Sequence, residues 1–367
     1  MEKLLPKNIY IWGTGKRARV INEVYAHALS LLDVVGYIDN DKEKWGNYFE
    51  GKEIFPPQVL KEGKERKYIL ISNQFEEDIR KQIYNSFGEC DCQIIEEDIL
   101  SRAQLILRYE NTENKEIREI VERLKVHPLE YFNYDFADNY KELNWEIFFD
   151  DTNGLFYTFY CNKKMYFSRD YKTREAAINY YRDILLEQDA KSPHLYLTSE
   201  FKVPSDAIVV DAGAAEGNFS LSIIDNVSKI YIFEPDKNWF EALHYTFEPY
   251  KGKVVLINKF LSNYINDVTT SIDHEIQEEI NFIKMDIEGE EYYALLGAVA
   301  SIAKSANFAC AICTYHQEFA YDAILNLLNK CNIQCDASSG YMWFPDYGIR
   351  PPVLRKAILR GKKFRDK

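Results

Sequence analysis

No apolar run in this chain approaches bilayer-spanning length, and no basic, apolar, small-residue leader follows Met1-Glu-Lys-Leu-Leu-Pro6. A membrane-spanning class is therefore not indicated, and a cytoplasmic protein is expected. Cysteines number seven, an odd count, and neither Cys90-Asp-Cys92 nor Cys310-Ala-Ile-Cys313 has a second pair at zinc-ribbon spacing. That excludes a zinc ribbon and leaves buried free thiols as the reading of the apolar Cys310 pair. Positive charge is also short: 45 Lys and Arg stand against 58 Asp and Glu, a formal net charge of −13. An acidic surface repels phosphate backbones, so non-specific nucleic-acid binding by the whole chain is not expected. His274-Glu275 has no histidine four positions after His274, so the zinc-protease pattern fails. There is no internal repeat and no low-complexity tract.

What is present is ample apolar and aromatic material. The chain has 367 residues, 46% hydrophobic and 15% aromatic, with 27 tyrosines. That length exceeds one typical core and predicts two domains. Tyrosine suits half-buried surfaces and sugar contacts as well as ordinary packing. Strands alternating with helices predict an α/β fold: parallel, doubly wound sheets, with a smaller Rossmann-like unit ahead of a larger one. The partition read from the pattern has four segments: residues 1–100 as a nucleotide- or nucleotide-sugar-binding unit, 101–190 as a helical linker and β-hairpin region, 191–348 as the second α/β unit, and 349–367 as a basic tail. In the hairpin region, Asp150-Asp-Thr-Asn-Gly154 marks a turn, with Leu155 to Tyr160 and Lys164 to Phe167 as strands. In the tail, Arg350, Arg355, Lys356, Arg360, Lys362, Lys363, Arg365 and Lys367 face only Asp366 in opposition. Interleaved with Val353, Leu354, Ile358 and Leu359, they suggest a helix that either frays in solvent or touches an anionic membrane or acidic glycan.

The most informative stretch is Ile208-Val-Val-Asp211-Ala-Gly213-Ala-Ala-Glu216-Gly217-Asn218-Phe219. It reads as a buried strand, a glycine turn and a helix start, with an acid where the strand ends. Such a βα turn places a ligand at the carboxyl ends of the strands. Taken alone it fits a dinucleotide, a nucleotide sugar or S-adenosyl-L-methionine (SAM). The following strand ends in Ile-Phe-Glu234-Pro235, where an acid can take both ribose hydroxyls. The next ends in Asn258-Lys-Phe-Leu261-Ser262, at the adenine edge, and a fourth in Lys284-Met-Asp286-Ile-Glu288-Gly289-Glu290-Glu291. The Gly-x-Gly-x-x-Gly spacing of a pyrophosphate turn is missing, and carboxylates suit a sulfonium and an ammonium better than a diphosphate.

These motifs, in this order, resemble the FkbM family of SAM-dependent methyltransferases over roughly residues 190–345. The resemblance implies a class I methyltransferase fold and O-methylation of hydroxyls on sugars, glycans or polyketide-like products. It assigns Asp211 and Gly213 to the methionine end of SAM and Glu234 to the ribose. Glu216, Asn218, Leu261 and Asp286 complete the expected cofactor set. Methyl transfer to oxygen needs alignment and a proton acceptor. Asp286 and Glu288, at the end of the central strand, and His316, after the fifth strand, are the candidate catalytic groups. Glu290 and Glu291 also suit the dipole of a helix start. His194 lies where it can close over the site, whereas His27, His127 and His244 read as packing or surface residues. Asp286 and Glu288 offer oxygen ligands to a divalent cation, but no Asp-Asn pair follows the next strand, and no metal is expected.

The first unit carries Gly13-Thr-Gly15-Lys16-Arg17-Ala18 between a strand and a helix, the context of a phosphate-binding turn, with Asp39 at the end of the next strand. The run Gly36-Tyr-Ile-Asp39-Asn-Asp41, with Gly51-Lys-Glu-Ile54, resembles the nucleotide-sugar-binding domain of sugar O-acyltransferases. Gly13, Gly15, Lys16, Arg17 and Asp39 are thus candidates to hold a nucleotide sugar, or the unit only packs. The leading expectation is a SAM-dependent O-methyltransferase acting on a sugar or glycan precursor. The alternatives are an NAD-dependent nucleotide-sugar enzyme and a non-catalytic nucleotide-binding scaffold.

Overall fold

Strand β1, Ile9–Trp12, is buried along its whole length, and a strand with no wet face belongs in the middle of a sheet covered on both sides. The computed structural model, which describes residues 6–142, 145–345 and 348–363, places it there. The chain divides into two compact units, Met1–Tyr134 with Pro345–Leu354 and Asp135–Phe344 with Arg355–Lys367.

In the first unit β2 (Val34–Ile38), β3 (Tyr48–Phe49), β4 (Lys52–Phe55), β5 (Lys67–Ile71) and β6 (Cys92–Ile95) join β1 in a six-stranded sheet of order β3-β4-β2-β1-β5-β6. The pleat sends alternate side chains to opposite faces. Ile9 and Ile11 enter one core with Ile21, Tyr25 and Leu100; Tyr10 and Trp12 enter the other with Ile69, Ile83 and Phe87. The helices are α1 (Lys16–Val24), α2 (Ala26–Leu31), α3 (Glu76–Phe87), α4 (Asp98–Tyr109) and α5 (Lys115–Leu124). The last two, expected as part of a linker, belong to this unit.

The second unit opens with an antiparallel meander of β7 (Phe148–Asp150), β8 (Leu155–Tyr160) and β9 (Lys163–Tyr166), followed by α6 (Arg174–Glu187). The core sheet begins with β10 (Ile208–Ala212). After it come α7 (Asn218–Ile223), β11 (Lys229–Phe233), α8 (Lys237–Phe247) and β12 (Val254–Ile257), and then the short β13 (Phe260–Leu261), β14 (Thr269–Thr270) and α9 (Ile272–Glu275). The chain continues with β15 (Phe282–Met285), α10 (Glu291–Leu296), α11 (Val299–Lys304), β16 (Ala309–Cys313), α12 (Ala320–Lys330), β17 (Ile333–Ala337), the short β18 (Met342–Trp343) and β19 (Leu354–Arg355), and β20 (Ile358–Lys363). The seven-stranded order is β12-β11-β10-β15-β16-β20-β17. Only β20 runs antiparallel to its neighbours, pairing with both β16 and β17. This mixed α/β arrangement is the class I methyltransferase, Rossmann-like fold. The strand order reverses between β10 and β15, and the carboxyl ends of strands at such a switch point form a ligand crevice.

The basic tail departs from expectation. Residues 358–363 form a strand, not a helix, because Ile358, Leu359 and Gly361 are wanted inside the sheet. Several of its cations bond within the fold. Arg355 Nη1 donates to Tyr315 O (2.8 Å), Arg360 Nε to Tyr196 O (3.1 Å), and Lys363 Nζ to Ser305 O (2.7 Å) beyond the end of α11. Lys356 Nζ lies 4.0 Å from the centre of the Tyr341 ring. Arg365 and Lys367 fall outside the described residues.

Candidate active site at the carboxyl ends of β10, β11 and β15

The turn after β10 is built around Gly213. It adopts φ +72°, and a Cβ there would lie 1.8 Å from the Asp286 carbonyl oxygen. Only glycine lets the β10 and β15 ends approach this closely. Asp286 N donates to Ala212 O (3.0 Å) and zips the two ends together.

A cavity of about 320 Å³ opens at this edge, lined among others by Gly213, Phe233, Glu234, Trp239, Leu261 and Asp286. Glu234 is buried immediately after β11. One carboxylate oxygen accepts from Ala215 N and the other from Asp236 N, both at 2.9 Å. A carboxylate has about four acceptor positions, so each oxygen retains capacity for a ligand hydroxyl. Burial raises Glu234 above the ordinary glutamate range, and the two backbone donors pull it back. Phe233, Pro235 and Leu261 supply apolar wall, and Glu288 and Glu290 stand at the rim.

Three of the expected cofactor residues lie behind this wall. Asp211, wholly buried, accepts from Ser220 Oγ (2.6 Å) and pairs with Lys284 Nζ (3.2 Å). Lys284 also donates to Gly213 O (2.6 Å). Burial alone would lower Lys284, but Asp211 and Asp286 outweigh it and hold it at about 12. Asp211 and Lys284 thus brace the turn from beneath. Glu216 is buried and accepts from Tyr180 Oη (2.6 Å). Asn218 begins α7 and accepts from Phe219 N.

The candidate catalytic groups converge. Asp286 accepts from Tyr196 Oη (2.7 Å) and Tyr315 Oη (3.1 Å), with His194 Nε2 at 3.4 Å and His316 Nε2 at 3.5 Å. Burial would raise Asp286, but His194, His316 and Lys284 overcome it and keep the group well below the usual carboxylate range. Asp286 is therefore a fixed anion and a weak proton acceptor. Burial would lower His316, yet Glu291 (2.9 Å from Nδ1), Asp286 and Glu288 (3.7 Å) lift it to about 9. Its carboxylate surroundings therefore favour the protonated ring. Glu291, fully buried, accepts from Ile287 N (3.0 Å) and Gly289 N (3.3 Å) and so shapes the loop after β15. Glu288 adopts φ +56° and leaves its side chain 76% exposed.

Sequence reasoning missed Tyr196, Tyr315, Tyr180 and Lys284. The tyrosines sit in loops or on a helix with no fixed spacing to any motif, so only the fold brings them to Asp286 and Glu216. Lys284 was legible in principle: a lysine inside an apolar strand needs a buried carboxylate. Ligand atoms of His194, Asp286 and Cys313, and of Asp286, Glu291 and His316, lie within 4.8 Å of one another. Protein partners already engage these donors, and we assign neither group as a metal site.

In the first unit Gly13 (φ +118°) passes close to Ser72, and Gly15 opens α1 without a side-chain cap. Asp39 stands beside this turn, but its own chain occupies it. Thr14 Oγ1 donates at 2.5 Å, Lys44 Nζ at 3.0 Å and Asp41 N at 3.0 Å. Arg17 is paired with Glu97, and Lys16 starts α1. An acid held this way has little capacity left for ribose hydroxyls, which weakens the dinucleotide alternative.

Residues 5–95 match the family model described as C2185-like, N-terminal, and residues 245–335 match the methyltransferase FkbM domain. No curated protein matches. Among solved structures, methyltransferase FkbM from Methylobacillus flagellatus KT is 17% identical, covering 96% of this chain and 89% of its own, with a TM-score of 0.41. A putative methyltransferase from Streptococcus mutans in complex with SAH is 17% identical over 44% of this chain and 91% of its own, TM-score 0.30. M. jannaschii TYW2 in complex with AdoMet is 10% identical over 57% of this chain and 85% of its own, with a TM-score of 0.34.

Proposed function

We propose that this chain, whose second unit carries a methyltransferase FkbM domain, moves a methyl group from SAM to a hydroxyl of a sugar or glycan precursor. The observation that carries the reading is Glu234 in the wall of the 320 Å³ cavity, each of its oxygens satisfied once by backbone and open once to a ligand. That is the acceptor pattern a ribose diol requires. The volume falls at the lower end for small-molecule sites, and the apolar wall of Phe233, Pro235 and Leu261 suits a base.

Bound SAM supplies an electrophilic methyl on a sulfonium. The residues here bind, orient and balance charge. Glu234 fixes the ribose, and Leu261 and Phe233 flank the adenine. Gly213 lets the backbone approach, with Asp211 and Lys284 holding that backbone from below. Asp286 keeps its charge at neutral pH and so favours a cationic centre beside it. Tyr196 and Tyr315 lock its carboxylate, and His316, protonated, keeps the Asp286–Glu288–Glu291 cluster from repelling itself. A hydroxyl-rich acceptor is in keeping with the tyrosines that gather around Asp286 and Glu216.

Incubation with methyl-labelled SAM and a panel of nucleotide sugars and glycan fragments, read by mass spectrometry, tests the reading. Label on a hydroxyl of a panel member supports it. No label on any member, together with no SAM or S-adenosylhomocysteine binding by calorimetry, refutes it.

A further inference from the structure

The reaction proposed above needs a proton acceptor, and Asp286 and His316 are each already engaged, Asp286 by the hydroxyls of Tyr196 and Tyr315 and His316 by Glu291. We propose that Glu187 is the base that takes the proton from the acceptor hydroxyl. The assignment rests on the methyltransferase reading and adds a residue that none of its motifs contains.

Glu187 is the last residue of α6. Its Oε2 lies 3.8 Å from His194 Nδ1, and His194 Nε2 in turn lies 3.4 Å from Asp286 Oδ2 and 3.3 Å from Tyr315 Oη. His194 is 1% exposed, so this ring is a buried spacer between the two carboxylates. The Glu187 side chain is 40% exposed, so a ligand can reach it. Among the described residues no hydroxyl or backbone N–H donates to its carboxylate, in contrast to Asp286 and Glu216. Glu216 is locked by Tyr180 and only 4% exposed. Glu288 is reachable, but it projects at the solvent rim beside the cation of His316.

The groups facing Glu187 are His194 from the loop before β10, Asp286 and Lys284 from β15, and Asp183 from its own helix. Glu187 in turn helps to raise Glu216, on the turn after β10. Desolvation by these walls, assisted by Asp286 and Asp183 and opposed by His194 and Lys284, brings Glu187 up to about 7. The carboxyl end of a helix also disfavours negative charge. A base poised at the working pH is the efficient one. In the transfer, an oxygen lone pair of the acceptor forms the O–C bond, and the C–S bond breaks with its electron pair going to sulfur. The hydroxyl proton passes to the Glu187 carboxylate, which afterwards releases it to solvent.

The test uses the full chain and its Glu187→Gln and Glu187→Asp variants. Calorimetry with S-adenosylhomocysteine first establishes donor binding; wild type and Glu187→Gln should agree within about threefold. A wild type that does not bind defeats the functional reading itself, not this assignment alone. With binding intact, kcat on the panel acceptor should fall about 100-fold or more in Glu187→Gln, partly recover in Glu187→Asp, and lose the rise through about pH 7 seen in wild type. Glu187→Gln within threefold of wild-type kcat, or with the rise retained, overturns the proposal. Independently of any acceptor, protein labelled with carboxyl-¹³C glutamate should show a resonance titrating near pH 7 that Glu187→Gln removes. Its absence from wild type likewise overturns the assignment.

Discussion

Glu234 and His316 illustrate how single side chains set the properties of this site. Glu234→Ala removes both the expected ribose contact and the acceptor for Ala215 N and Asp236 N. A charged hydrogen bond is worth about 1.5–3 kcal/mol, so S-adenosylhomocysteine affinity, measured by calorimetry, should fall about 10- to 100-fold. His316 makes a pH-dependent contribution to stability. Its folded-state value of about 9 lies above the free value of 6.5, so the folded protein holds the proton more tightly. The contribution is present in full below pH 6.5 and is lost as the pH rises through 9, by roughly 3 kcal/mol at 1.36 kcal/mol per unit. Urea unfolding of wild type and His316→Gln at pH 6.5 and 9 checks this. Wild type should lose the larger share, and equal losses would show that Glu291 does not hold the proton on His316.

Elements, more than residues, were legible in the sequence. The strands from Ile208, Lys229, Val254, Phe282 and Ala309 could be read from their apolar runs, and the acids at three strand ends, Asp211, Glu234 and Asp286, gave the site its place. Tyr196, Tyr315 and Lys284 could not be read as a group, because they reach Asp286, Asp286 and Gly213 across 90, 29 and 71 residues and leave no local spacing. The tail shows the same limit from the other side. Alternating cations and apolar residues fit a helix face as well as a strand until β16 and β17 are seen to leave a slot for β20. Gly361 is the evidence of how tight that slot is. A Cβ there would meet Ile333 Cγ2 at 2.6 Å, Cys310 Sγ at 3.0 Å and Cys335 Sγ at 3.1 Å. Gly361→Val should therefore destabilise by about 1–3 kcal/mol or more through overpacking. A lowered urea midpoint checks it, and an unchanged one would mean the three strands have room to spare.

Across the whole molecule, each unit has a sheet and cores of its own, and the second presents a cavity at a switch point lined by unspent acceptor groups. In the first unit the corresponding acid, Asp39, is consumed by Thr14, Asp41 and Lys44, so its glycine turn, the closer match to a dinucleotide fingerprint in sequence, is the less open of the two in structure. The account therefore places the donor in the second unit. Titration of S-adenosylhomocysteine into the protein by calorimetry tests this most directly. One site should be saturated per chain, with affinity lost in Glu234→Ala and retained in Asp39→Ala. No binding, or binding that follows Asp39 and ignores Glu234, would contradict the account.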